Sequence, residues 1–137
     1  MSPHLKNWFA SKPDPVFEHP TLGSFHVEGG IWTSRIPGAH PVELSLAGGS
    51  SAPNEGLLAA ASALLERFPE VRDTALAFLV AQEGAPSKED FSCYDIEWLR
   101  EDAPDQFALR FLLLGDLGGM WRVEFEQGIP LFLTRDE

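Results

Sequence analysis

The chain has 137 residues, with 21 acidic side chains against 10 lysines and arginines, and a formal net charge of −11. A surface of that sign repels phosphate backbones and anionic headgroups, which argues against nucleic acid and membranes as partners and for a basic protein. Apolar residues make up 44% of the sequence, enough for a packed core and far from the composition of disordered chains.

Residues 1–20 contain Pro3, Pro13, Pro15 and Pro20. These lack backbone donors and turn their predecessors away from helix, so an irregular arm is expected there, pinned by Trp8 and Phe9. A single α+β domain is expected over 21–137. From Leu22 the pattern has period two, with Phe25 and Val27 on one face and Ser24, His26 and Glu28 on the other. Gly29 and Gly30 supply the positive φ of a two-residue hairpin. The return strand, Ile31 to Ile36, carries Trp32 and Ile36 on one face. After a turn at Pro37 and Gly38 a third strand buries Val42, Leu44 and Leu46 and exposes Glu43 and Ser45.

Gly48 to Pro53 is expected to be a flexible link. Leu57, Leu58, Ala61, Leu64, Leu65 and Phe68 then recur at the spacing of a helical stripe, with Asn54 or Ser51 available as the cap. Pro69 suits the first position of a second helix, in which Val71, Ala75, Leu76, Phe78, Leu79 and Val80 predict burial almost all round. Gly84 and Pro86 end it, and Ser87 with Asp90 resembles a capping box for one short turn. Alternation then resumes. Tyr94, Ile96 and Trp98 are expected on one face, with Cys93, Asp95 and Glu97 on the other. Phe107, Leu109, Phe111 and Leu113 form the next row, and Trp121, Val123 and Phe125 the row after the Gly115 to Gly119 turn. Gly128 closes a last hairpin into Ile129 to Leu133, whose Pro130 belongs at a sheet edge. Segregated helices and hairpin-linked strands predict an α+β fold: a mostly antiparallel twisted sheet of about seven strands with two main helices on one face.

About half of the charge excess lies between Glu83 and Asp105, where Glu83, Glu89, Asp90, Asp95, Glu97, Glu101, Asp102 and Asp105 face Lys88 and Arg100. Asp95 and Glu97 share a strand face about 7 Å apart, within the range of paired catalytic carboxylates. A solvated acidic face is the simpler reading. Cys93 among these acids is a packing residue rather than a nucleophile, since neighbouring carboxylates raise a thiol's pKa. His4, His19, His26 and His40 are too scattered for a zinc spacing; His26 with Glu28 and His40 with Glu43 converge only if the first and third strands are neighbours. Gly118-Gly119 and Gly48-Gly49-Ser50-Ser51 lack the lysine and spacing of a phosphate loop. Trp32, Trp98, Trp121, Tyr94 and Phe111 read as core. No metal or cofactor is expected. A lone cysteine and the absence of an export signal or a span of roughly 20 apolar residues predict a cytoplasmic protein.

The segment His19-Pro20-Thr21-Leu22-Gly23-Ser24-Phe25, Trp32, the paired helices, and the closing strands Phe107 to Leu113 and Trp121 to Phe125 with Gly128 resemble small bacterial domain-of-unknown-function families. These include candidate immunity proteins of polymorphic toxin systems, and the likeness runs from about Phe17 to Asp136. Relatives often place an acidic residue and His-Gly in the last long turn, where this chain has Asp116-Leu117-Gly118-Gly119-Met120, so the resemblance implies an architecture and a class but no site residue. The expected function is a non-catalytic protein-binding module in which Asp95, Glu97, Trp98, Glu101, Asp102 and Asp105 dock a basic partner. The alternatives are a small enzyme with a carboxylate or histidine site between helices and sheet, and a structural domain whose apolar sheet face meets a second copy in a homodimer.

Overall fold

Period-two alternation becomes a mixed sheet, and helical periodicity becomes the crossover that its parallel pair requires. The computed structural model describes residues 15–36, 42–83, 90–113 and 119–136. Strands β1 (Val16–His19), β2 (Gly23–Glu28), β3 (Ile31–Ile36) and β4 (Val42–Ala47) precede helices α1 (Glu55–Glu66) and α2 (Phe68–Glu83). Strands β5 (Phe91–Trp98), β6 (Gln106–Leu113), β7 (Met120–Glu126) and β8 (Ile129–Asp136) follow. The eight strands lie side by side in sequence order. All neighbours are antiparallel except β4 and β5, which the two helices connect, because parallel strands need a long crossover. The fold is α+β with a mostly antiparallel sheet, as expected, with eight strands rather than seven.

The additional strand is β1, inside the segment expected to be irregular. Prolines flank it without interrupting it, and an edge strand tolerates them. His19 makes the turn into β2: its Nδ1 accepts hydrogen bonds from the backbone N–H groups of Thr21 at 3.2 Å and Leu22 at 3.1 Å. Gly29 and Gly30 have φ of 61° and 82°, the two positive values of a type I′ hairpin.

Gly48 to Pro53 is a closed turn instead of a flexible link. Gly49 N–H donates to the Ala52 carbonyl at 3.0 Å, and the Trp32 indole N–H donates to the Gly49 carbonyl at 2.9 Å. A Cβ on Gly48 would sit 2.6 Å from both the Ala52 carbonyl oxygen and the Pro53 Cα, so no larger residue fits there without moving the backbone. Asn54, not Ser51, caps α1, accepting from Leu57 N–H at 3.1 Å. Helix α2 buries Val71, Ala75, Leu76 and Leu79, while Asp73, Thr74 and Ala77 face solvent. It is therefore amphipathic, not buried all round.

The core fills the space between one sheet face and the helices. Helix α1 lies against β4, and α2 against β7 and β8. Leu44, Ile96, Leu109 and Val123 form a continuous cross-strand row, with Leu133 at its end. Beside it Trp98, Phe107 and Phe125 stack in series, with ring centroids 5.4 and 4.8 Å apart. Such aromatic pairs add to the stabilisation from area burial alone. No described helix is long and apolar enough to cross a membrane. Expectations for Trp8 and Phe9, the Pro37-Gly38 turn, His4, His40, the Ser87 capping box and residues 115–118 fall outside the described residues.

Candidate functional site

The sheet face away from the helices is polar, and its most ordered feature begins with a bulge in β5. Cys93 pairs with Phe111 and Asp95 with Arg110, leaving Tyr94 as an extra residue. An extra residue reverses the alternation on one side of it. Cys93 therefore joins the core, while Tyr94 turns outward and its ring lies under the Arg110 guanidinium, 5.5 Å from ring centroid to cation. The expectation that Tyr94 shares a face with Ile96 and Trp98, and Cys93 with Asp95, is thus corrected by the bulge.

On this face Arg110 and Arg122, opposite each other on β6 and β7, are held between the acids of β5 and Glu124 of β7. Arg110 Nε donates to Asp95 Oδ1 at 2.7 Å and its Nη2 donates to the other carboxylate oxygen, a bidentate pair. The same guanidinium lies 3.3 Å from Glu97. Arg122 donates to Glu97 from the next strand and reaches Glu124 at 4.0 Å. Hydrogen bonding to Asp95 holds the Arg110 pKa above its already high ordinary value. Asp95 is 0% exposed, which corrects its reading as part of a solvated face: a buried carboxylate is retained only with a partner, and Arg110 is that partner. The Asp95 and Glu97 carboxylates serve as arginine ligands and do not open together onto a cleft.

Of the six expected docking residues, Glu101, Asp102 and Asp105 are exposed and Glu97 is half-buried beneath its arginines. Trp98 is 1% exposed and belongs to the core, so its side chain offers a partner almost no surface. The three exposed acids lie in the β5–β6 turn. Arg100 braces that turn, donating to Gln106 Oε1 at 3.3 Å and pairing with Asp102 at 3.4 Å. Gln127 N–H donates to the Asp105 carbonyl at 3.2 Å, tying the β5–β6 turn to the β7–β8 turn. Register places Gln106 opposite Glu126. Glu101, Asp102, Asp105, Glu124 and Glu126 are thereby gathered at one end of the sheet around Arg100 and Arg122.

Alongside these acids runs a set of apolar side chains that sequence reasoning did not assign to a site. Ile129, Leu131 and Phe132 on β8 are 59%, 45% and 63% exposed, and Leu99 is exposed nearby. Leu131, Phe132, Leu99, Glu97, Arg122 and Glu124 are among the residues lining a cleft of about 160 Å³. The sequence signal for this surface was Pro130, which marked an edge strand otherwise composed of large apolar residues.

His26 on β2 and Glu43 on β4 lie on strands separated by β3 and line one open cavity together with Thr33 and Arg35, and His40 lies outside the described residues. Among the described residues no group of three or more metal-ligating side chains comes together. Burial, and secondarily the Asp95 charge, pushes the Cys93 thiol up to about 12. At pH about 8, alkylation of Cys93 is expected to run roughly a thousandfold slower in the folded than in the unfolded chain, whose free thiol titrates near 8.5. Iodoacetamide labelling followed by mass measurement checks this, and labelling at the unfolded rate would contradict the thiol's burial. Because the folded state keeps a proton that the unfolded chain loses, the contribution of Cys93 to stability is complete below about pH 8.5. It is lost as pH rises toward 12.

Compared with protein-family models, with curated proteins and with solved structures, the chain has no significant match in any of the three.

Proposed function

We propose that this domain is a non-catalytic protein-binding module, acting in the manner of an immunity protein, whose acidic end docks a basic protein partner. The observation that carries this reading is the gathering of Glu101, Asp102, Asp105, Glu124 and Glu126 by the linked β5–β6 and β7–β8 turns, beside exposed Leu99, Leu131 and Phe132. Glu101, Asp105 and Glu126 have no cationic partner among the described residues. Unpaired surface charge of one sign steers an oppositely charged protein and raises its association rate, while neighbouring apolar side chains supply the contact that holds it. The docking set differs from the sequence expectation: Asp95 and Trp98 are buried, Glu97 lines the cleft but is held by its arginines, and Glu124, Glu126 and the β8 side chains take their place. The overall charge of −11 argues in the same direction, against a nucleic acid or anionic membrane as the partner.

The test is affinity capture from a lysate of the source organism on the wild-type protein and on a Glu101→Lys/Asp102→Lys/Asp105→Lys variant, followed by reconstitution from purified components. The expected result is a basic protein retained by the wild type and lost on the variant. Its association rate should fall by at least about tenfold between roughly 50 and 500 mM salt. Equal retention by the variant, or an association rate indifferent to salt, would count against acidic docking.

A further inference from the structure

The cleft beside β8 has a composition that specifies more than a generic basic surface. Two of its walls are apolar and open to solvent, formed by Leu99 on one side and Leu131 and Phe132 on the other. The β8 bulge creates the second wall. Glu124 pairs with Phe132 and Phe125 with Pro130, so Leu131 is extra and the alternation that would turn it inward is interrupted. Arg100 and Arg122 also line the cleft; Arg100 is engaged by Asp102 and Gln106 and Arg122 by Glu97, which leaves Glu124 at the 4.0 Å limit of an ion pair with its side chain 44% exposed. Glu126 also lines the cleft and meets no cation among the described residues.

Across the outer face the pairs run Asp95, Arg110, Glu97, Arg122, Glu124, and the series stops on a carboxylate one strand short of the edge. The next group outward is the Phe132 ring. A carboxylate beside an exposed aromatic face and an aliphatic wall matches an arginine side chain: the guanidinium meets the acid, its plane lies on the ring, and the methylene stem covers the leucines. The protein already builds this stacked arrangement internally, with Arg110 over Tyr94 and Arg135 over Trp121, the latter at 4.6 Å. A second copy of the chain is the poorer occupant, because each copy carries a net charge of −11 and a twofold contact through this end would bring two acidic surfaces together.

We infer that the cleft formed by Leu99, Glu124, Leu131 and Phe132 is an arginine-binding subsite, which receives one arginine side chain from an extended segment of the partner. This rests on the acidic-docking reading above and adds the residue type and its seat.

The experiment is a backbone-amide NMR titration of the full chain with a short capped peptide carrying one arginine between two aliphatic residues, and with the same peptide carrying citrulline. Citrulline keeps the shape and removes the charge. The arginine peptide is expected to shift the amides of Leu99, Glu124, Glu126 and Phe132 saturably. The citrulline peptide should bind at least about tenfold more weakly, as loss of a charged hydrogen bond implies. Phe132→Ala and Glu124→Gln should each abolish the response while leaving the rest of the spectrum in place, and both sites are exposed enough for the fold to persist. Arginine-dependent shifts confined to Glu101, Asp102 and Asp105 would overturn the subsite but leave acidic docking standing. An absence of arginine-dependent shifts anywhere would overturn both. A Phe132-dependent dimer in sedimentation would assign the face to a second copy and also overturn the subsite.

Discussion

Replacing Arg110 with alanine should cost about 3–5 kcal/mol of folding stability, the range found when one partner of a buried ion pair is removed. Asp95 is fully buried and both its carboxylate oxygens accept hydrogen bonds from Arg110, so the truncation strands a charge that water cannot reach. The double replacement Asp95→Asn/Arg110→Met should recover most of the loss, because it removes the stranded charge along with its partner. Urea unfolding of the single and double variants measures both effects. A loss under about 1 kcal/mol for Arg110→Ala would place the pair in the weak class of surface bridges. Arg110 is absent from the cleft lining, so the comparison reads the pair's support of the fold apart from the cleft itself.

Trp32→Ala should be about as damaging, also in the range of about 3–5 kcal/mol for loss of a buried aromatic. Trp32 is fully buried, and its N–H closes the Gly48 to Pro53 turn that delivers the chain from β4 into α1. Trp32→Phe separates the two contributions. It retains most of the ring and loses the hydrogen bond to Gly49, whose carbonyl lies at an exposed position where water can replace the donor, so a cost of only about 1 kcal/mol is expected. Thermal or urea unfolding checks the ordering. If Trp32→Phe cost as much as Trp32→Ala, the turn rather than the packing would dominate.

The strands were legible wherever alternation was unbroken: β3 occupies Ile31 to Ile36 as its pattern indicates, and the buried set Val42, Leu44 and Leu46 of β4 is as expected, although Ser45, expected outside, is buried as well. Gly29-Gly30 and Asn54 announced their turn and cap through φ preference and side-chain chemistry. Strand β1 was hidden because proline lowers strand propensity locally, whereas its pairing with β2 is decided by tertiary packing, including Phe17 on Phe25 at 6.4 Å. The larger error came from Tyr94. A one-residue bulge leaves no mark in composition, yet it exchanged the faces of Cys93 and Tyr94 and hid the geometry of the Arg110 site.

The candidate site was less legible than the fold. Asp95 and Arg110 are 15 positions apart, and Glu97 and Arg122 are 25 apart. Their neutralisation follows only once strand order and register are known. Charge density along the chain marked the Glu101 to Asp105 turn, whose acids are exposed, but could not separate carboxylates with internal partners from those without. The apolar half of the surface was passed over because large hydrophobic residues in a strand ordinarily signal core, and only the edge position of β8 exposes them.

The parallel junction of β4 with β5 divides the sheet into two meanders of four strands, each assembled from successive neighbours. Within a meander every pairing closes a short loop, so its entropic cost is small, whereas joining the halves closes a loop that includes both helices. Long-distance search is thus concentrated at a single seam, and the architecture keeps most of its ladder formation local despite its high strand content.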